Sequence, residues 1–252
     1  MIKGVLLDLS GTIYVDNEVL PRALEAVQKL QAEKIPMRYL TNSSRSSRKE
    51  ILQKLMGMGF DVSEEEIFTA PQAVQGYLRE HKLSPWLLVH PAIEEEFKEF
   101  SRETPDAVVL CDAAEALSYE NLNQAFRLLT KGARLLAVGD NRYFKEAGGM
   151  SLDAGPFIRA LEYAADCEAI VLGKPSPAFF HSAVAQLGCR PGETLMVGDD
   201  VFADVNGALK AGMKAALVKT GKYQPGDEQK IAAPGACVCN DLLDAVDGIL
   251  ED

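Results

Sequence analysis

The stretch Ile2-Lys3-Gly4-Val5-Leu6-Leu7-Asp8-Leu9-Ser10-Gly11-Thr12-Ile13-Tyr14 decides how this chain is read. An apolar run that meets one acid and then breaks at a glycine predicts a buried strand with Asp8 at its carboxyl tip. A carboxylate buried there alone is costly, so it needs a cation or hydrogen-bond donors beside it.

Outward from that stretch, helix and strand alternate. Pro21 to Lys34 predicts a helix: Pro21 suits a first turn, and Leu24, Val27 and Leu30 recur at helical spacing. Ile35 to Leu40 predicts a strand ending in Thr41-Asn42-Ser43-Ser44. Ser47 with Glu50 forms a capping-box signature for a helix through Met56, and another helix covers about Pro71 to His81. This order means parallel pairing with right-handed crossovers. A second αβ unit follows, with strands at 86–90, 107–111 and 134–138. Its helices lie at 93–100 and around Leu122, Phe126 and Leu129. The polar, glycine-containing stretch Gly139 to Gly155 reads as a loop.

The last third resumes the rhythm. A helix is expected at 156–165, a strand at 169–172 before Gly173-Lys174-Pro175, and a helix at 177–187. A strand at 194–197 ends in Gly198-Asp199-Asp200. A short helix at 204–212, a strand at 215–218 and a closing helix at 241–250 complete the chain. The expected fold is α/β: a doubly wound parallel sheet core (about 1–79 and 170–252) with an inserted αβ cap domain (about 80–169).

Composition narrows the function classes. Among 252 residues, 47% are apolar and 25% charged, which suits a globular protein. The net charge of -11 argues against nucleic acid or an anionic membrane as partner, since both favour a basic face. A small anionic substrate is compatible with it, because one lysine or a bound metal reverses the field inside a cleft. The five cysteines are scattered and read as small buried thiols, and Cys237-x-Cys239 is too tight for half of a zinc site. With no charged-then-apolar leader and no run of ~20 apolar residues, a cytoplasmic protein is expected.

The chemistry lies just past the strand tips, where open parallel sheets bind ligands. The expected strands deliver Asp8, then Thr41 and Asn42, then Lys174, then Asp199 and Asp200. Clustered carboxylates repel one another and bind a hard cation such as Mg²⁺, which keeps open positions for substrate oxygens. A lysine and small donors suit the other oxygens of a tetrahedral anion. A carboxylate can also attack phosphorus and form an aspartyl-phosphate, so phosphoryl transfer is the expected reaction.

These segments resemble those of the haloacid dehalogenase superfamily of aspartate-nucleophile phosphatases. The matching runs are Asp8-Leu9-Ser10-Gly11-Thr12, Thr41-Asn42, Lys174-Pro175, and Gly198-Asp199-Asp200 with Asp204. Lys219-Thr220-Gly221-Lys222-Tyr223 also matches. The gap between the second and third segments fits the subgroup with a large αβ cap. The resemblance implies that Asp8 is nucleophile and Mg²⁺ ligand, that Ser10 contributes its backbone carbonyl to the metal, and that Asp199 is the second carboxylate ligand. It implies that Thr41 and Asn42 donate to the phosphoryl group and that Lys174 is its charge partner. Asp204 would orient a metal-bound water or Lys174, and Asp200 would hold Lys174 or cap the following turn. It further implies a small phosphorylated substrate and a homodimer.

The departure from the family pattern is Ser10. Most of these phosphatases carry an aspartate there as general acid and base, a function typically worth about 10²–10⁴ in rate. A serine hydroxyl is a poor acid at neutral pH. Either turnover is weak and the chain is a phosphate-binding or interaction module, or its substrates have leaving groups that need no enzyme acid. P–N bonds, whose nitrogen solvent can protonate, and pyrophosphate meet the second condition. Tyr143, Phe144 and Lys145 are candidates for substrate selection, Tyr14 either lines the entrance or packs, and His81, His90 and His181 are expected to be structural.

Overall fold

The computed structural model describes residues 1–146 and 149–250, with residues 144–146 described by their backbone alone. The chain forms two compact units. The first comprises Met1–Thr41, Arg48–Phe68 and Lys174–Asp252; the second comprises Asn42–Ser47 and Thr69–Gly173.

A six-stranded sheet organises the first unit. Its order is Ala236–Cys239, Lys214–Val218, Thr194–Gly198, Gly4–Asp8, Met37–Thr41, Ile67–Thr69. Gly4–Asp8 pairs in parallel with Thr194–Gly198 on one side and Met37–Thr41 on the other, and all five of its residues are buried. An interior strand covered on both faces has no solvent side to mark with polar residues, which is why the sequence shows a continuous apolar run. Ala23–Ala32 buries Ala23, Ala26, Val27 and Leu30 at helical spacing. Arg22 and Lys29 on this side reach Asp241, Asp244 and Asp247 of the C-terminal segment.

The second unit contains a four-stranded sheet in the order Ile170–Val171, Arg134–Ala137, Ala107–Leu110, Pro85–Leu88, parallel throughout. Val108, Leu110, Leu135 and Ala137 pack with Ala125 and Leu129 of the Tyr119–Leu129 helix and Ile158 and Leu161 of the Ala154–Ala165 helix. No helix among the described residues is long and apolar enough to cross a membrane.

Several expectations change. The strand before Lys174 does not join the first sheet: Ile170–Val171 pairs with Arg134–Ala137. Two residues of β-branched sequence specify a strand but not its neighbour. The strands Ile67–Thr69 and Ala236–Cys239 were not anticipated; they are the two edges of the first sheet, the former buried but only three residues long and the latter partly exposed, so neither gives a clear apolar pattern. The stretch read as a loop contains an antiparallel hairpin, Tyr143–Glu146 with Gly149–Leu152. Tyr143, Met150 and Leu152 are exposed, so no buried face announces it. The side chains of Phe144 and Lys145 lie outside the described residues. The cysteines are not uniformly buried: Cys111 is, but Cys237 is exposed and its sulfur lies 3.8 Å from that of half-buried Cys239.

Candidate active site

The strand register brings the tips together. Asp8 is level with Leu40, so Thr41 lies one residue further along the neighbouring strand. Leu7 is level with Val197 on the other side, and Asp199 follows that strand's end at Gly198. The strands carrying Asp8, Thr41 and Asp199 are therefore adjacent, at the centre of the sheet.

Lys174 is the hub. Its ammonium donates to Asp8 Oδ1 and to Asp204 Oδ1, the latter at 2.7 Å, and all three side chains are buried. Burial alone would lower the pKa of Lys174; the charges of Asp204 and Asp8 outweigh it and hold the ammonium above its usual range. Asp204 Oδ2 accepts from the Asp200 amide at 3.2 Å, so both oxygens of Asp204 are engaged. Asp200 turns away from the lysine. Its Oδ1 accepts from the amides of Phe202 and Ala203, both at 2.9 Å, and caps the helical turn Val201–Asn206. Its Oδ2 lies 3.6 Å from Lys222 Nζ. Helix therefore begins at Val201, where the sequence predicted it at Asp204.

Asp199 is held differently. Its Oδ2 accepts from the Lys222 amide at 2.6 Å. Its Oδ1 is buried without a hydrogen-bond partner, the only carboxylate oxygen among the described residues in that condition. Burial, then repulsion from Asp8, pushes the Asp199 carboxyl up to about 7. Burial also pushes Asp204 up to about 7, with Lys174 opposing and Asp8 and Asp199 adding to the rise. Ligand oxygens of Asp8, Asp199 and Asp204 lie within 4.8 Å of one another. Three buried carboxylates against one ammonium leave excess negative charge, and one oxygen lacks a donor. Hard oxygen donors in that state fit a divalent cation such as Mg²⁺. Since Lys174 and the Asp200 amide occupy Asp204, the oxygens suited to a metal belong to Asp8 and Asp199.

The loop after Asp8 is tightly wound. The amides of Ile13 and Tyr14 donate to Leu9 O at 2.9 and 3.2 Å, and the Gly11 amide donates to Tyr14 O at 2.7 Å. Ser10 is exposed on this loop. Tyr14 is nearly buried, with Lys54 Nζ 4.1 Å from its ring centroid; burial and then the Asp8 charge push its hydroxyl up to about 12.

Relatives bear on this arrangement. A family model described as haloacid dehalogenase-like hydrolase matches residues 5–102, and a second, HAD-hydrolase-like, matches 171–245. The chain is 44% identical over 250 residues to haloacid dehalogenase-like hydrolase domain-containing protein 2 of Bos taurus, covering 99% of this chain and 96% of that protein. The chain belongs to the haloacid dehalogenase-like hydrolases. It is 39% identical over 256 residues to the phospholysine phosphohistidine inorganic pyrophosphate phosphatase of Homo sapiens, covering 99% of this chain and 95% of that one. Among solved structures, the 4-nitrophenylphosphatase of Thermotoga maritima superimposes with a TM-score of 0.89 at 28% identity, covering 98% of this chain and 97% of that one. The p-nitrophenyl phosphatase of Archaeoglobus fulgidus gives 0.90 at 25% identity, covering 98% and 99%.

In this haloacid dehalogenase-like hydrolase, the structure brings Asp8, Lys174, Asp199 and Asp204 into one cluster and sets Thr41 beside it by register. Asn42 falls in the second unit. The three histidines make backbone contacts: His81 Nδ1 lies 3.0 Å from Tyr77 O, His90 Nδ1 accepts from the Ala92 amide, and His181 Nε2 lies 3.0 Å from Ala211 O. Sequence reasoning from the strand tips missed Thr220, Gly221 and Lys222. The signal was available, because they follow the tip of the Lys214–Val218 strand.

Proposed function

We propose that the protein is a Mg²⁺-dependent phosphohydrolase that works through an aspartyl-phosphate on Asp8. The observation that carries this reading is the buried cluster itself: Asp8 and Asp204 share Lys174, and Asp199 holds an unpartnered oxygen. Asp8 and Asp199 would hold the ion with the Ser10 carbonyl. Mg²⁺ when bound supplies charge neutralisation to phosphate oxygens. The Asp8 carboxylate forms the bond to phosphorus as the bond to the leaving group breaks. Water then attacks phosphorus, releases phosphate and restores the carboxylate. Lys174 offsets charge on the transferred group while Asp204 holds its ammonium in place, and Thr41 and Asn42 donate to phosphoryl oxygens.

Ser10 sets the substrate class. Without a carboxyl at this position, the leaving group takes its proton from solvent or departs as a stabilised anion. P–N compounds and pyrophosphate satisfy that, and the human relative's name covers both bond types. The five free thiols among the described residues suit the reducing cytoplasm as its location.

The test is phosphate release from imidodiphosphate, pyrophosphate and alkyl phosphates, with and without Mg²⁺, for the wild type and Ser10→Asp. The expected result is Mg²⁺-dependent release that favours the first two, with alkyl phosphates gaining about tenfold or more in Ser10→Asp. Equal wild-type rates on all three, with no gain in the variant, would overturn the leaving-group assignment. Tight phosphate binding without turnover would favour a binding module.

A further inference from the structure

Two loops meet over Asp199. One follows the Gly4–Asp8 strand, the other follows Lys214–Val218, and the Thr194–Gly198 strand that carries Asp199 lies between them in the sheet. Thr220 Oγ1 donates to Gly11 O at 2.5 Å, which ties the two loops across the intervening strand. Two glycines face each other at the tie. A Cβ on Gly11 would lie 2.0 Å from Asp199 Oδ2, and one on Gly221 would lie 2.1 Å from the same atom and 2.4 Å from Gly11 Cα. Both have positive φ, +98° and +54°. Only residues without a side chain can let two backbones close on one carboxylate oxygen this way. The Lys222 amide completes the enclosure at 2.6 Å.

We propose that Thr220, Gly221 and the Lys222 amide form a positioning clamp that fixes the orientation of the Asp199 carboxylate, holding one oxygen and leaving the other for the cation. A carboxylate on its own rotates freely and presents either oxygen. Here Oδ2 is enclosed by Gly11, Gly221 and Lys222 N–H, so Oδ1 is the atom left without a partner. The same tie anchors the carbonyl of Gly11, the residue directly after Ser10, whose own carbonyl belongs to the proposed metal site. The clamp thus acts on Asp199 directly and on the Ser10 carbonyl through the neighbouring Gly11. It rests on the Mg²⁺ reading above and adds the residues that set the site's affinity.

The experiment measures Mg²⁺ binding by titration calorimetry on the full chain without substrate, for the wild type, Thr220→Val, Thr220→Ala and Thr220→Ser. Val and Ala remove the hydroxyl; Ser retains it. Making both lets either folded variant, as judged by circular dichroism and melting in EDTA, carry the test. Mg²⁺ affinity is expected to fall about tenfold in Val or Ala, the worth of one hydrogen bond, and to recover to within about twofold in Ser. In activity assays the half-saturating Mg²⁺ concentration rises while the substrate KM at saturating Mg²⁺ stays put, a split that general loosening would not produce. Unchanged affinity in the folded Val or Ala variants overturns the clamp and leaves the phosphohydrolase reading intact. A wild type that binds no Mg²⁺ overturns both.

Discussion

The protein contains two parallel sheets, and among the described residues only one of them carries a buried group of three carboxylates beside its strand tips. In the six-stranded sheet the central tips deliver Asp8 and Asp199, which gather around Lys174 and Asp204 with little exposure. In the four-stranded sheet, Ala107–Leu110 is followed by Cys111 and Asp112. Asp112 is paired with Arg45 and accepts from the Ala114 amide. No second carboxylate group of the metal-binding kind occurs among the described residues of that unit. The two sheets also differ in topology: the six-stranded sheet reverses its strand order between Gly4–Asp8 and Thr194–Gly198, the place where open α/β sheets bind ligands, whereas the four-stranded sheet runs in sequence order without a reversal.

The sharpest way to break this comparison is to remove one acid from each sheet. Asp8→Asn is expected to lower phosphate release by about 10³-fold or more, since the proposed nucleophile is lost. Asp112→Asn is expected to leave release within about threefold while lowering thermal stability. Comparable losses from both would mean that the two sheets share the chemistry.

Lys174→Met is next in size. It leaves Asp8 and Asp204 buried without their cation, a change expected to cost about 3–5 kcal/mol of stability in EDTA. Phosphate release should fall by about 10²-fold, and Mg²⁺ should restore more stability to this variant than to the wild type. Chemical denaturation with and without Mg²⁺ measures it, and an identical Mg²⁺ increment in both proteins would contradict Lys174 as the main compensating charge.

Packing should be indifferent to the distinction. Leu7 and Leu110 are both fully buried, one in each sheet. Leu7→Ala and Leu110→Ala are each expected to cost about 2–5 kcal/mol. Denaturant melts that show one of them to be silent would mean that the units differ in packing as well as in charge.

The smallest effect is that of pH. Burial and the charge of Asp8 raise the carboxyls of Asp199 and Asp204 together, so in the folded, metal-free protein these coupled groups keep protons that the unfolded chain loses near 3.8. The folded state therefore binds more protons across that window, and its stability falls as pH rises from about 4 through about 7. Mg²⁺ must displace such a proton, so its affinity rises over that range. Melting in EDTA and in Mg²⁺ at pH 5.5 and pH 8 should show the larger metal-induced shift at pH 8. Equal shifts at both would contradict this.

Much of the site was legible because a residue one step past a strand is placed by the chain itself. The run Val5 to Leu7 specifies a buried strand, so Asp8 sits at its tip, and the same reasoning places Thr41 and Asp199. Lys174 was named for the wrong local reason: its preceding strand belongs to the second sheet, and the lysine reaches the cluster on its own long side chain. Asp200 and Asp204 could not be distinguished by spacing. Which of them faces Lys174 depends on a helical turn that begins at Val201 and lifts Asp204 beneath the ammonium.

By itself the sequence determined most of the strand-and-helix order, the acids at the central tips and the serine two residues after Asp8, because these depend on neighbours along the chain. Tertiary structure alone decided the sheet that Ile170–Val171 joins, the division of labour among Asp199, Asp200 and Asp204, and the tie from Thr220 to Gly11. That last bond joins residues 209 positions apart. No local pattern encodes such a contact, because it exists only once three strands have paired and two glycines have let their backbones close on one oxygen.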